Sequence, residues 1–306
     1  MTNLNVNIGS LMLPNPVLVA SGTFGYAREM AGLVDLSRLG GIIPKTVTLA
    51  SRAGNPPLRT VETSSGLLNS IGLDNDGIDE FLTDKMPYLR TLGSPIILSV
   101  AAKSVEECPV LANKINADCS GVAAVELNIS CPNVSGGIDF ATEPALCERI
   151  VTTMKERITL PLFVKLSPNV TSIAQIALAA ERGGADAICA TNTCFGMAID
   201  WRRQTPRLGN AYGGLSGPAI KPIALRCVHQ IYNSVKIPII GVGGISNEDD
   251  MMEFLVAGAS AVQIGTANFF DPTITMRLID ALPKLLAELG AKSVAEIVGS
   301  CKIVNR

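Results

Sequence analysis

Eight short apolar runs recur along the chain, and most are followed by a polar or glycine-rich turn and then by a stretch with helical spacing. Near-continuous apolarity is typical of parallel strands that are buried on both faces. We predict strands over residues 17–20, 41–45, 96–100, 124–128, 162–166, 187–191, 237–242 and 261–264. Helical patterns cover 73–89, 171–182, 220–235 and 247–257, the last with Ser246 or Asn247 as its cap and Gly258 at its end.

This alternation of strand and helix, repeated about eight times, predicts a (β/α)8 TIM barrel that occupies residues 1–306 as a single domain. The alternative is an open doubly wound sheet, which a G-x-G-x-x-G turn after the first strand would favour, and none is present. Residues 6–8 and 11–13 flank Gly9-Ser10 and predict a hairpin that closes the bottom of the barrel. Two connections, 46–79 and 193–217, are too long for plain turns, and long loops of this kind are usually functional lids or disordered. Both follow strand ends, on the face where barrel enzymes place their chemistry.

Composition narrows the possible functions. Charged residues make up 17% of the chain and the formal net charge is -2, so a nucleic acid or an anionic membrane surface is not an expected partner. We see no signal peptide and no apolar stretch long enough to span a bilayer, and we expect a cytoplasmic protein. The eight cysteines form no C-x-x-C pair, which argues against an iron–sulfur cluster in this chain. The single histidine, His229, lies in a helical pattern, so we expect neither a histidine-based catalytic triad nor a metal site.

Polar residues follow the predicted strands where their carboxyl ends meet at one mouth of the barrel. They are Ser21-Gly22, Lys45-Thr46, Asn128, Cys131, Lys165, Asn192-Thr193, Gly243-Gly244 and Gly265-Thr266. The turns GVGGIS (241–246) and QIGTAN (263–268) follow the last two strands and would let backbone N–H groups approach a phosphate. The alternative is that these glycines only permit tight turns between strand and helix.

Two lysines and one cysteine are the candidates for chemistry. Lys45 and Lys165 end the apolar runs GIIPK and PLFVK, and a cation inside the mouth needs an anion such as a phosphate, a substrate carboxylate or a reduced flavin. A Schiff-base lysine and a surface lysine remain as alternatives. Pro132 stops strand pairing and places Cys131 on a loop, where neighbouring lysines could activate its thiol as a base. The alternative is a buried structural cysteine.

Together these residues resemble the class 1 dihydroorotate dehydrogenases, along nearly the whole chain from ASGTFG (20–25) to QIGTANFF (263–270). The most specific matches are GLLNSIGL (66–73), ELNISCPN (126–133), VKLSPN (164–169) and GGLSGPAIKPIAL (213–225). The resemblance implies one non-covalent FMN per chain and the oxidation of dihydroorotate to orotate in pyrimidine biosynthesis. Cys131 would remove the C5 proton while C6 delivers hydride to flavin N5.

The resemblance also implies the residues that contact each ligand. The implied substrate contacts are Lys45, Asn69, Ser70, Ile71, Gly72, Leu73, Asn128, Asn192 and Thr193. The implied flavin contacts are Ser21, Gly22, Lys45, Thr46, Ser99, Asn128, Lys165, Gly217, Gly243, Gly244, Gly265 and Thr266. Asparagine amides offer both donors and acceptors to a pyrimidine, and a cation near flavin N1 stabilises the anionic reduced ring.

Within class 1, the segments 21–29 and 243–269 are more similar to the 1B branch. That branch implies a partner subunit that carries FAD and a 2Fe–2S cluster and passes electrons to NAD, in a homodimer or a heterotetramer. The alternatives are a fumarate-reducing 1A homodimer, an aldolase using Lys165, and a barrel that only binds a phosphorylated ligand or docks a partner. The sequence departs from the family pattern at Asp74-Asn75-Asp76-Gly77 and at SVAA (99–102), where Ser99 stands.

Overall fold

The computed structural model describes residues 2–130 and 140–303, and the chain begins with the predicted hairpin. Strand β1 (Val6–Ile8) pairs antiparallel with β2 (Leu11–Leu13). Ile8 and Leu13 are fully buried against the core, and Gly9 in the turn packs against Asp186, which directly precedes a barrel strand. The hairpin therefore lies at the end of the barrel where the strands begin.

Eight parallel strands close into a barrel in the order of the chain, which confirms the predicted fold. The strands are β3 (Val17–Val19), β4 (Gly41–Ile42), β7 (Ile96–Val100), β8 (Val122–Asn128), β9 (Leu162–Leu166), β10 (Ala187–Ala190), β15 (Ile239–Val242) and β16 (Ala261–Ile264). Nearly all of their residues are buried, as expected for strands enclosed by helices on one face and by the barrel interior on the other.

Helices follow the barrel strands and cover their outer face. They are α1 (Ile78–Glu80), α2 (Met86–Leu89), α3 (Glu107–Ala117), α4 (Pro144–Lys155), α5 (Ile173–Arg182), α6 (Lys221–Tyr232), α7 (Glu248–Ala257), α8 (Ala267–Phe270) and α9 (Ile274–Glu288). Asn247 caps α7 by accepting the backbone N–H of Asp250 at 2.9 Å, and Gly258 ends it with φ 126°, as predicted. Across the described residues, no helix combines the length and apolarity that crossing a membrane requires.

The helix predicted over 73–89 begins later than the sequence indicates. Its helical part starts at Ile78 and passes through a π-helical segment (Phe81–Lys85) into α2. Leu73 and Gly77 have φ of 57° and 89°, which no right-handed helix accommodates. The buried side chain of Asn75 accepts the N–H groups of Thr48 and Gly77 and holds residues 73–77 as a turn.

The two long connections lie at the end of the barrel where the strands finish, as predicted, and the structure shows in addition that they contain strands. Each contributes two strands to one antiparallel sheet in the order β11-β14-β6-β5. These strands are β5 (Thr60–Thr63), β6 (Gly66–Asn69), β11 (Cys194–Met197) and β14 (Tyr212–Ser216), and a short ribbon of β12 (Ile199–Asp200) and β13 (Thr205–Pro206) extends from them. The sheet supplies one wall of the cavity described below.

Candidate active site

A cavity of about 830 Å³ opens where the barrel strands end, within the range of about 300–1,000 Å³ that is usual for ligand sites. Predicted substrate contacts that line it are Lys45, Asn69, Ser70, Ile71, Gly72, Leu73, Asn128, Asn192 and Thr193. Predicted flavin contacts that line it are Ser21, Gly22, Lys45, Thr46, Asn128, Lys165, Gly217, Gly243, Gly244, Gly265 and Thr266. Ser99 is fully buried and does not line the described part of the cavity wall. Cys131 lies outside the described residues.

Amide side chains form a connected group on one side of the cavity. Asn128 Oδ1 accepts hydrogen bonds from the backbone N–H of Ser130 at 3.2 Å and from its hydroxyl at 2.8 Å. Asn192 Nδ2 donates to Ser130 Oγ at 2.6 Å and lies 3.4 Å from Asn128 Oδ1. These contacts join the ends of β8 and β10 and fix the orientation of both amides. The group offers donors and acceptors at fixed positions, which suits a heterocycle with alternating C=O and N–H groups.

A second set of amides holds together the sheet of β5, β6, β11 and β14, here called the covering sheet, and attaches it to the barrel. Asn69 Nδ2 on β6 donates to the carbonyl of Gly214 on β14 at 3.3 Å. Asn169 Nδ2 donates to the carbonyl of Thr193 at 3.0 Å, and its Oδ1 accepts the N–H of Phe195 at 2.9 Å. The segment that carries Thr193 is thereby held against the end of β9.

Lys45 is a half-buried cation at the cavity wall. Within the described residues its ammonium forms no ion pair and no side-chain hydrogen bond. Burial lowers the pKa of Lys45 below its usual 10.5, and the nearby Asp74 only partly offsets that effect. An anionic group bound beside Lys45 would restore the charge balance.

The glycine-rich turns after β15 and β16 present backbone donors. The N–H groups of Gly243, Gly244, Gly265 and Thr266 donate no hydrogen bond to another described residue. Gly244 has φ 80°, and a Cβ placed on it would lie 2.7 Å from the backbone nitrogen of Lys221, so a side chain does not fit. Four free donors within two neighbouring turns suit a phosphate, as predicted for these turns.

A buried polar network runs behind the cavity wall. Ser21 Oγ contacts Thr46 Oγ1 at 3.3 Å, and Thr46 Oγ1 contacts Ser99 Oγ at 2.9 Å. Ser99 in turn donates to Glu126 Oε1 at 3.3 Å. The family resemblance implies a flavin contact at Ser99, but in this structure its hydroxyl lies behind the cavity wall, between Thr46 and Glu126.

Lys165 has its anion inside the barrel. Its Nζ lies 3.7 Å from Glu126 Oε1 and donates to Gln263 Oε1 at 3.2 Å, and Gln263 Nε2 donates to Glu126 Oε2 at 2.7 Å. All three residues are at most 4% exposed. Schiff-base chemistry requires a lysine nitrogen that is free to attack a carbonyl, and Lys165 Nζ is already engaged by Gln263 and Glu126, so this geometry counts against the aldolase alternative.

Two buried hydroxyls at the cavity have no hydrogen-bond partner among the described residues. They are Ser70 Oγ and Thr191 Oγ1, whose residues are 6% and 2% exposed. A buried polar atom without a partner is costly unless a ligand or water satisfies it. A Cβ placed on Gly22 would meet no atom of residues 2–130 or 140–303 within 4 Å, so these residues leave the space before it open to a ligand. These features and the free N–H groups fit a ligand that combines a phosphate with a ring bearing C=O and N–H groups, such as FMN.

Comparison with known proteins identifies the family. A family model described as dihydroorotate dehydrogenase matches residues 3–286. This chain belongs to the dihydroorotate dehydrogenase family. Proteins named "dihydroorotate dehydrogenase B (NAD(+)), catalytic subunit" are similar along their whole length: those of Solidesulfovibrio magneticus (50% identical, 98% of both chains), Desulforamulus reducens (49%, 98% of this chain and 99% of that one) and Bacteroides fragilis (47%, 99% and 100%). The predicted resemblance to class 1, and to its B branch, is confirmed.

Sequence reasoning did not assign several residues that the dihydroorotate dehydrogenase fold brings to this site. Glu126, Gln263 and Thr191 were given no role, although each interrupts or ends a strand that is otherwise apolar. That interruption is the signal that could have found them. His229 lies within α6 as predicted, half-buried, and does not line the cavity. Among residues 2–130 and 140–303, no three His, Cys, Asp or Glu side chains cluster as a metal site would require.

Proposed function

We propose that this chain oxidises dihydroorotate to orotate with a bound FMN, as the catalytic subunit of an NAD-linked dihydroorotate dehydrogenase. The observation that carries the proposal is that the predicted contacts line one cavity. Glycine-rich turns suited to a phosphate form one part of its wall, and the amides of Asn128 and Asn192 form another. The family membership and the name of the relatives support the same reaction.

Different residues around the cavity would contact different parts of FMN. The free N–H groups of Gly243, Gly244, Gly265 and Thr266 would hold its phosphate, and Thr191 Oγ1 would satisfy a polar atom of the cofactor. Lys165 would place a positive charge beside the ring. When bound, FMN supplies the acceptor for the hydride that leaves C6 of dihydroorotate.

The remaining residues would bind and orient the substrate. Lys45 would pair with the substrate carboxylate, and Asn69, Asn128, Asn192 and Thr193 would hold the ring carbonyl and N–H groups. Cys131 would take the proton from C5 as the general base. The covering sheet would exclude water from the reacting carbons.

For the electron path, we propose a separate subunit with FAD and a 2Fe–2S cluster that passes electrons to NAD. The name of the relatives, an NAD-linked catalytic subunit, supports this assembly. A homodimer of this chain, alone or within a heterotetramer, is the assembly that we expect. The fumarate-reducing 1A type is the competing assignment.

The visible spectrum of the FMN-reconstituted chain tests the proposal. Anaerobic dihydroorotate is expected to bleach the flavin absorbance and to yield stoichiometric orotate, and NAD is expected to reoxidise it only when the partner subunit is present. A yellow protein that dihydroorotate leaves unbleached would contradict the reaction. Rapid turnover of the chain alone with fumarate would support the 1A type instead, and borohydride trapping of a substrate on Lys165 would support an aldolase.

Orotate binding is expected to weaken at alkaline pH because Lys45 loses its proton. The pKa of Lys45 lies below 10.5, so Lys45 loses its positive charge at a lower pH than an exposed lysine does. Above that pKa, the dissociation constant should rise by up to about tenfold for each pH unit. Spectral titration of the FMN-bound chain with orotate between pH 7 and pH 10 measures this change.

The control for this experiment is Lys45→Arg, whose guanidinium keeps its charge across the whole range. Its orotate dissociation constant is expected to stay flat at pH values where the unmodified chain loses affinity. An arginine variant with the same alkaline loss would show that another group titrates.

Thr191→Val is expected to weaken FMN binding and to leave the ligand-free protein as stable as before or more so. The hydroxyl has no hydrogen-bond partner in the described part of the chain, so a methyl of the same shape removes an unpaired polar atom. A hydrogen bond to the cofactor would be lost, which corresponds to about 2- to 13-fold in affinity. Fluorescence titration with FMN and thermal unfolding measure the two effects, and an unchanged FMN affinity would contradict a contact at Thr191.

A further inference from the structure

Glu126 is a carboxylate in the interior of the barrel, and the proposed reaction gives it no role. It lies on β8, is fully buried and does not line the cavity wall. A buried carboxylate is expensive unless a cation and hydrogen bonds satisfy it. Its presence in a strand of apolar residues therefore requires an explanation.

The contacts of Glu126 converge on a single cation. Its two oxygens accept from Ser99 and Gln263, and Oε1 lies 3.7 Å from Lys165 Nζ. Gln263 contacts both members of the pair, because its Oε1 accepts from Lys165 at 3.2 Å. The ammonium is thus fixed by residues from β8 and β16 while Lys165 itself also lines the cavity.

We propose that Glu126 is a positioning residue that holds the Lys165 ammonium at the cavity wall and moderates the positive charge that a bound flavin experiences. This inference rests on the proposed FMN site and extends it by one residue behind the wall. A carboxylate next to the ammonium offsets part of its field, and in the protein interior such a field is only weakly screened. Reduced flavin carries negative charge, so the pair sets how strongly the protein favours reduction.

Glu126→Gln tests this role with little change in shape. The amide oxygen can still accept from Gln263, its NH2 can donate to Ser99 Oγ, and Lys165 keeps its bond to Gln263. One buried negative charge is removed and the cation stays. We expect the equilibrium constant for two-electron reduction of bound FMN to rise about tenfold, which is a shift of about 30 mV to more positive potential. Sulfite, which binds oxidised flavins more tightly beside positive charge, is expected to bind more tightly by a similar factor.

Asp186→Asn is the matched control. Asp186 forms an ion pair with Lys155 at 2.5 Å and lies before β10, at the opposite end of the barrel from the cavity. Asp186→Asn changes the net charge by the same amount as Glu126→Gln, but far from the flavin. The equilibrium constant for reduction of bound FMN should therefore stay within about twofold of that of the unmodified chain. Equal shifts in Glu126→Gln and Asp186→Asn would reject a local role for Glu126.

A double-variant measurement separates positioning of Lys165 from a general effect of charge. In a Lys165→Met background, the ammonium beside Glu126 is absent, so Glu126 has no cation to hold or to offset. Glu126→Gln should then change the potential by less than about twofold. An unchanged tenfold effect in that background would mean that Glu126 does not act through Lys165.

A substitute variant and two further results complete the test of the role proposed for Glu126. If Glu126→Gln does not retain FMN, Glu126→Asp serves instead, because its side chain is one methylene shorter and holds the carboxylate farther from Lys165. We expect it to shift the flavin potential in the same direction by a smaller amount. FMN-loaded variants with the potential and the sulfite affinity of the unmodified chain would overturn the proposal. Failure of the unmodified chain to bind FMN would instead contradict the proposed function, which keeps the two results distinguishable.

Discussion

Cys131→Ala is expected to retain FMN but to lose about 10²- to 10⁴-fold in the rate at which dihydroorotate reduces the flavin. The predicted cause is the loss of the base that takes the proton from C5. Alanine is close in size to cysteine and leaves the predicted flavin contacts intact. Anaerobic stopped-flow bleaching of the flavin measures the rate, and exchange of the C5 proton with deuterated solvent measures the proton step directly.

Cys119→Ala is the control for this prediction. Cys119 is a half-buried thiol just before β8, at the end of the barrel opposite the cavity. Its replacement should leave both the bleaching rate and the C5 exchange unchanged. If Cys131→Ala bleached at the rate of the unmodified chain, the base would have to be another group.

Gly244→Ala is expected to weaken FMN binding by about 100-fold or more. The added Cβ would lie 2.7 Å from the backbone nitrogen of Lys221 and 2.8 Å from its Cα, at the start of α6. Because backbone cannot yield as a flexible side chain does, the turn must move and withdraw its N–H groups from the phosphate. Each hydrogen bond to a charged group contributes about 1.5–3 kcal/mol, and we expect the loss of two N–H bonds from this turn to the phosphate. Equilibrium titration with FMN measures the loss.

Gly290→Ala separates this effect from backbone strain. Gly290 also has positive φ, 69°, but a Cβ placed there meets no atom within 4 Å, and it does not line the described cavity. Both variants should lose stability, with about 1 kcal/mol for the left-handed conformation alone. The Gly244 variant alone should lose FMN affinity. Equal FMN affinities in the two variants would show that the turn at Gly244 does not hold the phosphate.

The residues around the cavity follow from the sequence to the extent that they lie at strand ends. Ser21, Lys45 and Asn192 were predicted to meet because parallel strands in a barrel end at the same rim. The structure brings them to one cavity. Cys131 stays a prediction, since it lies outside the described residues.

The covering sheet and the interior ion pair were not predictable in the same way. Strand β6 pairs with β14, and Asn69 and Gly214, which face each other, are 145 positions apart in the chain. These strands are short and glycine-rich, and local pattern carries no information about so distant a partner. Lys165 was correctly expected to need an anion, but the sequence offered ligands as its partners rather than Glu126.

The sequence by itself determined the barrel, its hairpin, the cap of α7 and the residues at the strand ends. All of these depend on local periodicity, on turn chemistry and on one rule of topology, so neighbouring residues suffice to specify them. Only the tertiary structure decided that the two long connections form one sheet and that Glu126, Lys165 and Gln263 meet inside the barrel. Gln263 lies 98 and 137 positions from its two partners, and contacts of that kind exist only once the barrel has closed.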